Sequence, residues 1–219
     1  MLIVFDLDGT LVDSHRDLAD ATNALLADYG AEPLSPAIVA SMVGEGAAKL
    51  VARALKKASI NVDLREALAR FLEHYDRRLL ATTAPYPGMR EVLDALRTTH
   101  RLAVLTNKPT TPTVRILDGL GLAPFFDDVI GGDTTYGRKP DPAGLLELIA
   151  RAGMTGAGTL LVGDSPVDLE TARRAGAAIC LARYGFGFRF EQDGFRGDES
   201  FIDDAAGLLG VIESFRRRL

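Results

Sequence analysis

The chain begins with a short apolar run that leads directly into two carboxylates. Residues 2–5 are Leu-Ile-Val-Phe, and Asp6 and Asp8 follow just ahead of Gly9. An uninterrupted apolar run of this kind predicts a strand that is buried on both faces, as in a parallel sheet. Open parallel sheets bind ligands at the carboxyl ends of their strands, so Asp6 and Asp8 are candidate site residues.

Between Ser14 and Thr83 the apolar residues recur at helical spacing. A Ser-Pro pair at residues 35–36 is typical of the N-cap and first position of a helix. The pattern predicts helices over residues 17–29, 35–43, 47–58 and 64–80, with no strand among them. We therefore expect a block of helices to be inserted after the first strand.

Strand and helix patterns alternate after a breaker cluster, Pro-Tyr-Pro-Gly, at residues 85–88. The pattern predicts a loop over 184–198, strands over 101–105, 126–131, 159–164 and 177–182, and helices over 89–98, 112–120, 142–153, 168–175 and 203–217. This alternation is typical of a parallel sheet with helices on both faces. The predicted fold is α/β: a doubly wound, Rossmann-like core of residues 1–13 and 84–219 carrying a helical cap of residues 14–83.

The composition is that of an ordinary soluble globular protein. Of 219 residues, 47% are hydrophobic and 25% are charged, and the net charge of -5 gives no basic footprint for nucleic acid. No apolar run predicts a membrane span, and the first residues lack the pattern of a signal peptide. The single cysteine, Cys180, is expected in the core. We expect a cytoplasmic protein with no nucleic-acid or membrane partner, and the oligomeric state is not indicated.

Other predicted strands also end in polar residues. Thr106 and Asn107 follow the second strand, Lys139 lies in a loop before a helix, and Asp164 and Asp168 follow the fourth strand. One carboxylate can attack phosphorus while a second transfers protons, and hydroxyl and ammonium groups can hold phosphoryl oxygens. Mg²⁺ prefers oxygen ligands and offsets the charge between carboxylates and phosphate. This set contains what phosphoryl transfer through an aspartyl phosphate requires, with Mg²⁺ as the cofactor.

Four segments resemble the four motifs of the haloacid dehalogenase-like hydrolase superfamily. They occur in the order of that family, and the helical insert takes the place of its first cap type. The resemblance covers essentially the whole chain. The matching segments are Asp6-Leu7-Asp8-Gly9-Thr10, Thr106-Asn107, Lys139-Pro140 and Gly163-Asp164-Ser165-Pro166-Val167-Asp168.

For the acidic residues, the resemblance implies Asp6 as the nucleophile and Asp8 as the general acid/base. The metal would bind the Asp6 carboxylate, the Asp8 backbone carbonyl and Asp164. Asp168 would lie behind these ligands or near the metal.

For the other residues, the resemblance implies that Thr106 binds the phosphoryl group, with Asn107 alongside. Lys139 would neutralise Asp6 and the phosphate. Lys108, in contrast, is expected to be a solvated surface lysine.

The cap sequence around residues 43–55 resembles that of bacterial phosphoglycolate phosphatases, which implies a small phosphorylated metabolite, 2-phosphoglycolate, as the substrate. Gly44 and Gly46, flanking Glu45, either turn backbone N–H groups toward the substrate or simply end a helix. Arg53 either binds the carboxylate of the substrate or lies on a solvated helix face.

Other functions remain open from the sequence. A sugar-phosphate mutase, a pyrophosphatase or a phosphatase of broader specificity would use the same core motifs. From a different class, a phospho-receiver module also combines acids, a threonine and a lysine, but receivers are much shorter and lack a large helical cap. A catalytically inactive binding protein would need one misplaced core group. Dehalogenation is disfavoured because the extra acids favour a metal.

Overall fold

A six-stranded parallel sheet forms the centre of the computed structural model, which describes residues 1–190 and 194–217. The strands of this sheet are β1 (Leu2–Phe5), β4 (Arg101–Leu105), β5 (Asp128–Ile130), β6 (Thr159–Gly163), β7 (Ala178–Ala182) and β8 (Ser200–Ile202). Two short strands, β2 (Val12–Asp13) and β3 (Ala84–Pro85), form a separate pair. The order across the sheet is β5-β4-β1-β6-β7-β8, and each neighbouring pair is parallel. The carboxyl ends of β4, β1 and β6 therefore meet side by side at one edge.

Helices precede and follow the strands in the predicted alternation. They are α1 (His15–Asp28), α2 (Pro36–Ala40), α3 (Ala47–Lys57), α4 (Leu64–Asp76), α5 (Met89–Leu96), α6 (Thr110–Gly119), α7 (Ala143–Arg151), α8 (Pro166–Ala175) and α9 (Gly207–Arg216). Residues 14–83, all of which the structure describes, contain α1–α4 and no strand, as predicted. No helix in the described part of the chain is long and apolar enough to cross a membrane.

Strand β1 is buried on both faces, as its apolar run predicts. Ile3 and Phe5 belong to one hydrophobic cluster, and Leu2 and Val4 belong to a second cluster on the other face. The predicted fold class, a doubly wound α/β core with an inserted helical cap, is confirmed. The cluster around Ile3 and Phe5 continues into the helices of residues 14–83, so one face of the sheet and the interior of those helices share a single core.

The two segments that join the helical insert to the sheet pair with each other. Strand β2 is antiparallel to β3, with Val12 opposite Pro85 and Asp13 opposite Ala84. The sequence did not predict this ribbon because a strand of two residues has no periodicity to detect. We propose the predicted division for the molecule: a core of residues 1–13 and 84–219 and a cap of residues 14–83.

Two predicted helix boundaries are wrong by four residues each. Helix α4 ends at Asp76 rather than Leu80 because the backbone tightens there, with the Arg78 N–H donating to the Tyr75 carbonyl at 3.1 Å. Helix α9 begins four residues later than predicted, since the Asp204 carboxylate accepts a hydrogen bond from the Gly207 N–H at 2.9 Å and competes with helical bonding. Strand β8 was not predicted.

The loop predicted over 184–198 carries no helix or strand in its described residues, while 191–193 lie outside the described residues. Cys180 lies fully buried in β7, as predicted, and burial raises the pKa of its thiol to about 12. This thiol is a core side chain.

Candidate active site

The turn after β1 places Asp6 and Asp8 at the carboxyl edge of the sheet. The Asp6 N–H continues the ladder by donating to the Val162 carbonyl at 2.9 Å, while the intervening Leu7 side chain turns into the core. The two carboxylates therefore share the side away from the core. Gly9 completes the turn with φ of +88°, and a Cβ there would lie 2.0 Å from an Asp164 carboxylate oxygen. Only glycine allows this approach.

Lys139 joins two of the predicted acids. Its Nζ lies 2.8 Å from Asp6 Oδ1 and 2.6 Å from Asp168 Oδ1, and all three side chains are buried. Burial alone would lower the pKa of the Lys139 ammonium, but the Asp168 and Asp6 carboxylates raise it above its ordinary value. The lysine is therefore charged and fixed beside Asp6.

Asp168 is held on both of its oxygens. While Oδ1 contacts Lys139, Oδ2 accepts hydrogen bonds from the Ser165 N–H at 3.1 Å and the Ser165 hydroxyl at 2.6 Å. The Ser165 hydroxyl in turn accepts from the Asp168 N–H, which closes a capping box at the start of α8. Asp168 thus ties the first turn of α8 to Lys139.

Asp164 is a buried carboxylate with fewer polar contacts than Asp168. It is 2% exposed, and the Gly187 N–H donates to its Oδ2 at 2.8 Å. Burial, together with the negative charges of Asp168 and Asp6, raises the pKa of Asp164 well above its ordinary value. Burial likewise raises the pKa of Asp6 to about 6, against the opposing charge of Lys139. Both acids would be stabilised in their ionised form by an additional cation.

This acidic cluster fits a divalent cation. Asp6, Asp164 and Asp168 each bring a carboxylate oxygen within 4.8 Å of the others. Carboxylate oxygens are the donors that hard divalent cations prefer. The raised pKa values of Asp6 and Asp164 agree with this, because a cation would offset the cost of burying their charge.

Thr106 and Asn107 lie at the end of β4, beside β1. Thr106 is buried and its Oγ1 accepts a hydrogen bond from the Lys108 N–H at 3.2 Å. The Asn107 side-chain amide donates to the Gly44 carbonyl at 2.9 Å and to the Lys139 carbonyl at 3.0 Å. Both acceptors are carbonyl oxygens, so only the NH₂ group can face them. Asn107 thereby links the cap to the peptide of Lys139.

Lys108 is buried, so the prediction of a solvated surface lysine is wrong. The residue is 7% exposed, and its Nζ lies 2.8 Å from Asp8 Oδ2 and 3.0 Å from Asp8 Oδ1. The ring of Tyr75, from α4 of the cap, covers the ammonium with its centre 4.7 Å away. Burial disfavours the charged form, but Asp8 raises the pKa of Lys108 above its ordinary value. Ser14 adds a hydroxyl hydrogen bond to Asp8 Oδ1 at 2.6 Å.

A cavity of about 60 Å³ separates these core residues from the cap. Its core wall includes Asp6, Asp8, Thr106, Asn107 and Lys108. Its cap wall is mostly apolar and also includes the backbone of the predicted glycine loop; the lining residues there are Leu18, Val43, Gly44, Gly46, Ala47, Leu50, Phe71, Leu72 and Tyr75.

The predicted cap residues divide into two groups. Gly44 and Gly46 line the cavity, and the first turn of α3, which begins just after Gly46, has no side-chain cap. Glu45 and Arg53 instead form an ion pair with each other, and Arg53 Nη1 donates to the Met42 carbonyl at 2.9 Å. The half-exposed guanidinium is thus engaged within the cap.

Comparisons with known proteins agree with this arrangement. Residues 3–182 match the family model described as haloacid dehalogenase-like hydrolase. The chain belongs to this family. A phosphoglycolate phosphatase of Rhodospirillum rubrum is 45% identical over 192 residues, covering 84% of this chain and 80% of the relative. One of Pseudomonas putida is 38% identical over 214 residues, covering 95% and 78%.

Among solved structures of haloacid dehalogenase-like hydrolases and their relatives, a predicted phosphoglycolate phosphatase from Haemophilus somnus superposes with a TM-score of 0.89. It is 34% identical, and the match covers 96% of this chain and 97% of that one. The predicted family is confirmed, and so is the predicted enzyme class, a phosphoric monoester hydrolase.

The sequence of this haloacid dehalogenase-like hydrolase predicts the core residues of the site but not several of their neighbours. Neither Tyr75 nor Ser14 was predicted as a site residue. Gly187 lies in a Gly-Phe-Gly segment that begins three residues after the end of β7, at the same edge of the sheet. That position after a strand was an available signal, whereas nothing local marks Tyr75 as a cavity residue.

Proposed function

We propose that the protein is a magnesium-dependent phosphatase that hydrolyses 2-phosphoglycolate to glycolate and phosphate through an aspartyl phosphate. The observation that carries this proposal is the buried Asp6–Lys139 pair, with its 2.8 Å contact, in which Asp6 lines a small cavity beneath the cap. A carboxylate held beside a fixed ammonium is suited to attack a phosphoryl group, because the ammonium neutralises the charge that gathers there.

In the first step, an Asp6 carboxylate oxygen attacks phosphorus and the bond between phosphorus and the glycolate oxygen breaks. Asp8, in its protonated form, donates its proton to that leaving oxygen. In the second step, Asp8 takes a proton from water as the water oxygen attacks phosphorus. The bond to Asp6 then breaks, which releases phosphate, restores the Asp6 carboxylate and leaves Asp8 protonated for the next turnover.

Thr106 and Lys139 stabilise the phosphoryl oxygens in both steps. The Thr106 side chain lines the cavity next to Asp6, and Lys139 is already charged in the folded protein. Asn107 supports the same position because its amide holds the Lys139 carbonyl. Groups fixed before the substrate arrives need no reorganisation during the reaction.

Asp6, Asp164 and the Asp8 backbone carbonyl would hold Mg²⁺. Both Asp168 oxygens are already engaged by Lys139 and Ser165, which supports a place for Asp168 behind these ligands. When bound, the cation supplies charge that draws the phosphoryl oxygens toward Asp6 and offsets their repulsion.

The size of the cavity supports a small substrate. A water molecule needs roughly 10–15 Å³ of such space, so a cavity of about 60 Å³ has room for about four to six groups of that size. The carboxymethyl group of 2-phosphoglycolate is of that size, whereas a hexose is not. The same argument disfavours a sugar-phosphate mutase.

A panel of phosphorylated metabolites, ranked by kcat/KM, tests this function. We expect 2-phosphoglycolate to lead the ranking, ahead of hexose phosphates, pyrophosphate and short neutral phosphomonoesters. A ranking led by hexose phosphates or pyrophosphate would overturn the substrate while leaving the family intact. Accumulation of an isomerised sugar phosphate in place of free phosphate would favour the mutase.

A further inference from the structure

The buried hydroxyl of Tyr75 has no hydrogen bond of good geometry to any described residue, although the Lys108 ammonium lies near it. The residue is 4% exposed, its ring stacks on Phe71 with centres 5.9 Å apart, and it lines the cavity beneath the cap. Buried polar groups almost always have partners, so a hydroxyl left unpaired at a cavity wall indicates a ligand that would complete it.

A fixed positive charge lies beside this hydroxyl. Lys108 Nζ lies 4.7 Å from the centre of the Tyr75 ring, and it also lines the cavity. In the part of the chain that the structure describes, both side-chain hydrogen bonds of this ammonium go to Asp8. An ammonium has three donors, so one is available to a further acceptor.

The surrounding cap wall offers little else that could bind an anion. Leu18, Val43, Leu50 and Leu72 line the same cavity with apolar side chains. A carboxylate buried against them would need both a charge and a hydrogen-bond donor. Lys108 and Tyr75 supply one of each.

We infer that Tyr75 Oη and Lys108 Nζ bind the carboxylate of the substrate and make the enzyme selective for a phosphomonoester with an anionic leaving group. This inference rests on the proposed function and deepens it. The leaving oxygen of 2-phosphoglycolate is one methylene from its carboxylate. If the leaving oxygen takes its proton from Asp8, it lies beside Asp8. Because Lys108 contacts Asp8 at 2.8 Å, the substrate carboxylate then lies close to Lys108.

Tyr75→Phe is the cleanest test because it removes only the unpaired hydroxyl. Its control is Tyr29→Phe, since Tyr29 is another cap tyrosine whose buried hydroxyl has no partner among the described residues, but it is not part of the cavity wall. The two substrates are 2-phosphoglycolate and ethyl phosphate, which carries a methyl group in place of the carboxylate. Lys108 is unsuitable for substitution because it also pairs with Asp8.

We expect Tyr75→Phe to lower kcat/KM for 2-phosphoglycolate about 10- to 100-fold, the effect of one hydrogen bond to a charged group. The value for ethyl phosphate should stay within about twofold, because no bond to that substrate is lost. Tyr29→Phe should change neither value. The melting temperature of Tyr75→Phe should equal or exceed that of the wild type.

An equal loss with both substrates, or no loss with either, would overturn the assignment of Tyr75. A lowered melting temperature with an equal loss would instead assign the hydroxyl a structural role. A wild-type enzyme that prefers ethyl phosphate would overturn the proposed function, and the inference with it. If the wild type prefers 2-phosphoglycolate and the Tyr75→Phe variant keeps this preference, only the inference about Tyr75 is overturned and the proposed function stands.

Discussion

The two walls of the cavity differ in charge: the core wall holds paired charged groups, and the described residues of the cap wall include none. Each wall has one buried polar atom without a partner among the described residues, Asn107 Oδ1 on the core side and Tyr75 Oη on the cap side. On the core wall, Asp6 contacts Lys139 and Asp8 contacts both Lys108 and Ser14. On the cap wall, the surface is apolar and the Tyr75 hydroxyl has no partner among the described residues. The core wall is thus organised before the substrate arrives, while the cap wall awaits a ligand.

This difference follows from the cost of burying charge. A buried carboxylate or ammonium is tolerated only with a partner, so folding itself fixes the positions of Asp6, Asp168 and Lys139. A neutral hydroxyl costs much less to leave unpaired. We therefore expect changes on the core wall to affect all substrates alike, and changes on the cap wall to depend on the leaving group.

Asp6→Asn should have the largest effect. Removing the nucleophile should lower kcat by roughly 10⁴- to 10⁶-fold, as for other enzymes that lose a residue acting as part of a catalytic unit. The loss should be the same for 2-phosphoglycolate and ethyl phosphate, because both carry the same phosphoryl group. Steady-state kinetics on both substrates measure it.

Lys139 keeps its contact with Asp168 in this variant, so the fold should survive. Asp13→Asn is a matched control, since Asp13 lies near the site but pairs with the half-exposed His15. It should keep activity close to that of the wild type. Substantial phosphatase activity in purified Asp6→Asn would contradict the assignment of the nucleophile.

Removal of the divalent cation should have the next largest effect. Metal ions contribute several kcal/mol to such reactions, so chelation with EDTA should lower kcat on the order of a thousandfold for all substrates. Added Mg²⁺ should restore the activity. It should also raise the melting temperature of the wild type, because a ligand that binds only the folded state stabilises it.

Asp164→Asn should lose this thermal shift, which separates binding of the cation from catalysis. Activity that survives chelation, or a shift that Asp164→Asn retains in full, would refute the proposed metal site.

Asp17→Asn tests the junction between the two regions. Asp17 in α1 is fully buried, and its carboxylate accepts hydrogen bonds from the N–H and hydroxyl groups of Thr82 and Thr83, at 2.7–3.1 Å. Despite burial, these bonds hold the pKa of Asp17 below its ordinary value. The asparagine variant should lose about 1–3 kcal/mol in the free energy of unfolding at pH 7.

The direction of the shift fixes the pH dependence. A carboxyl group whose pKa is lowered by folding stabilises the protein above its unfolded pKa and loses that contribution as the pH falls through the folded value. The stability difference between wild type and Asp17→Asn should therefore shrink as the pH falls below about 4.

Urea unfolding from pH 7 to pH 3 measures this difference. Asp20→Asn is the control, because the half-exposed Asp20–Arg78 pair should contribute less than about 1 kcal/mol. A difference that is constant over the whole pH range would rule out ionised Asp17 as its cause.

The core residues of the site could be predicted from the sequence because they follow strands. Asp6, Thr106 and Asp164 come directly after apolar runs that form β1, β4 and β6, and these strands are neighbours in the sheet. Parallel strands bring their carboxyl ends together at one edge, so local patterns were enough to bring these three residues together. Strands β2 and β8 were missed because two or three residues carry too little pattern and depend on pairing alone.

The cap wall could not be predicted in the same way. The burial of Lys108 depends on Tyr75, which approaches from a different helix, and the Asn107 bond depends on the Gly44 carbonyl. Neither contact leaves a trace in local sequence. Side chains that meet only when the cap lies against the core require the tertiary structure.

Arg53→Gln should have the smallest effect, and it tests whether the cap wall has a second charged group for the substrate. The Arg53 guanidinium already binds the Met42 carbonyl and Glu45, and it is half exposed. Such pairs contribute about 0–1 kcal/mol, so the free energy of unfolding should change by less than about 1 kcal/mol. By the same measure, kcat/KM for 2-phosphoglycolate should change by less than roughly fivefold.

Glu45→Gln is the matched control, because it removes the other half of the same ion pair and should have a similarly small effect. Kinetics of both variants on 2-phosphoglycolate and ethyl phosphate provide the measurement. If Arg53→Gln raised KM more than about tenfold for 2-phosphoglycolate alone, Arg53 would have to leave Glu45 and bind the substrate carboxylate. Recognition would then be shared between Arg53 and Tyr75, and the cap wall would be organised by charge as the core wall is.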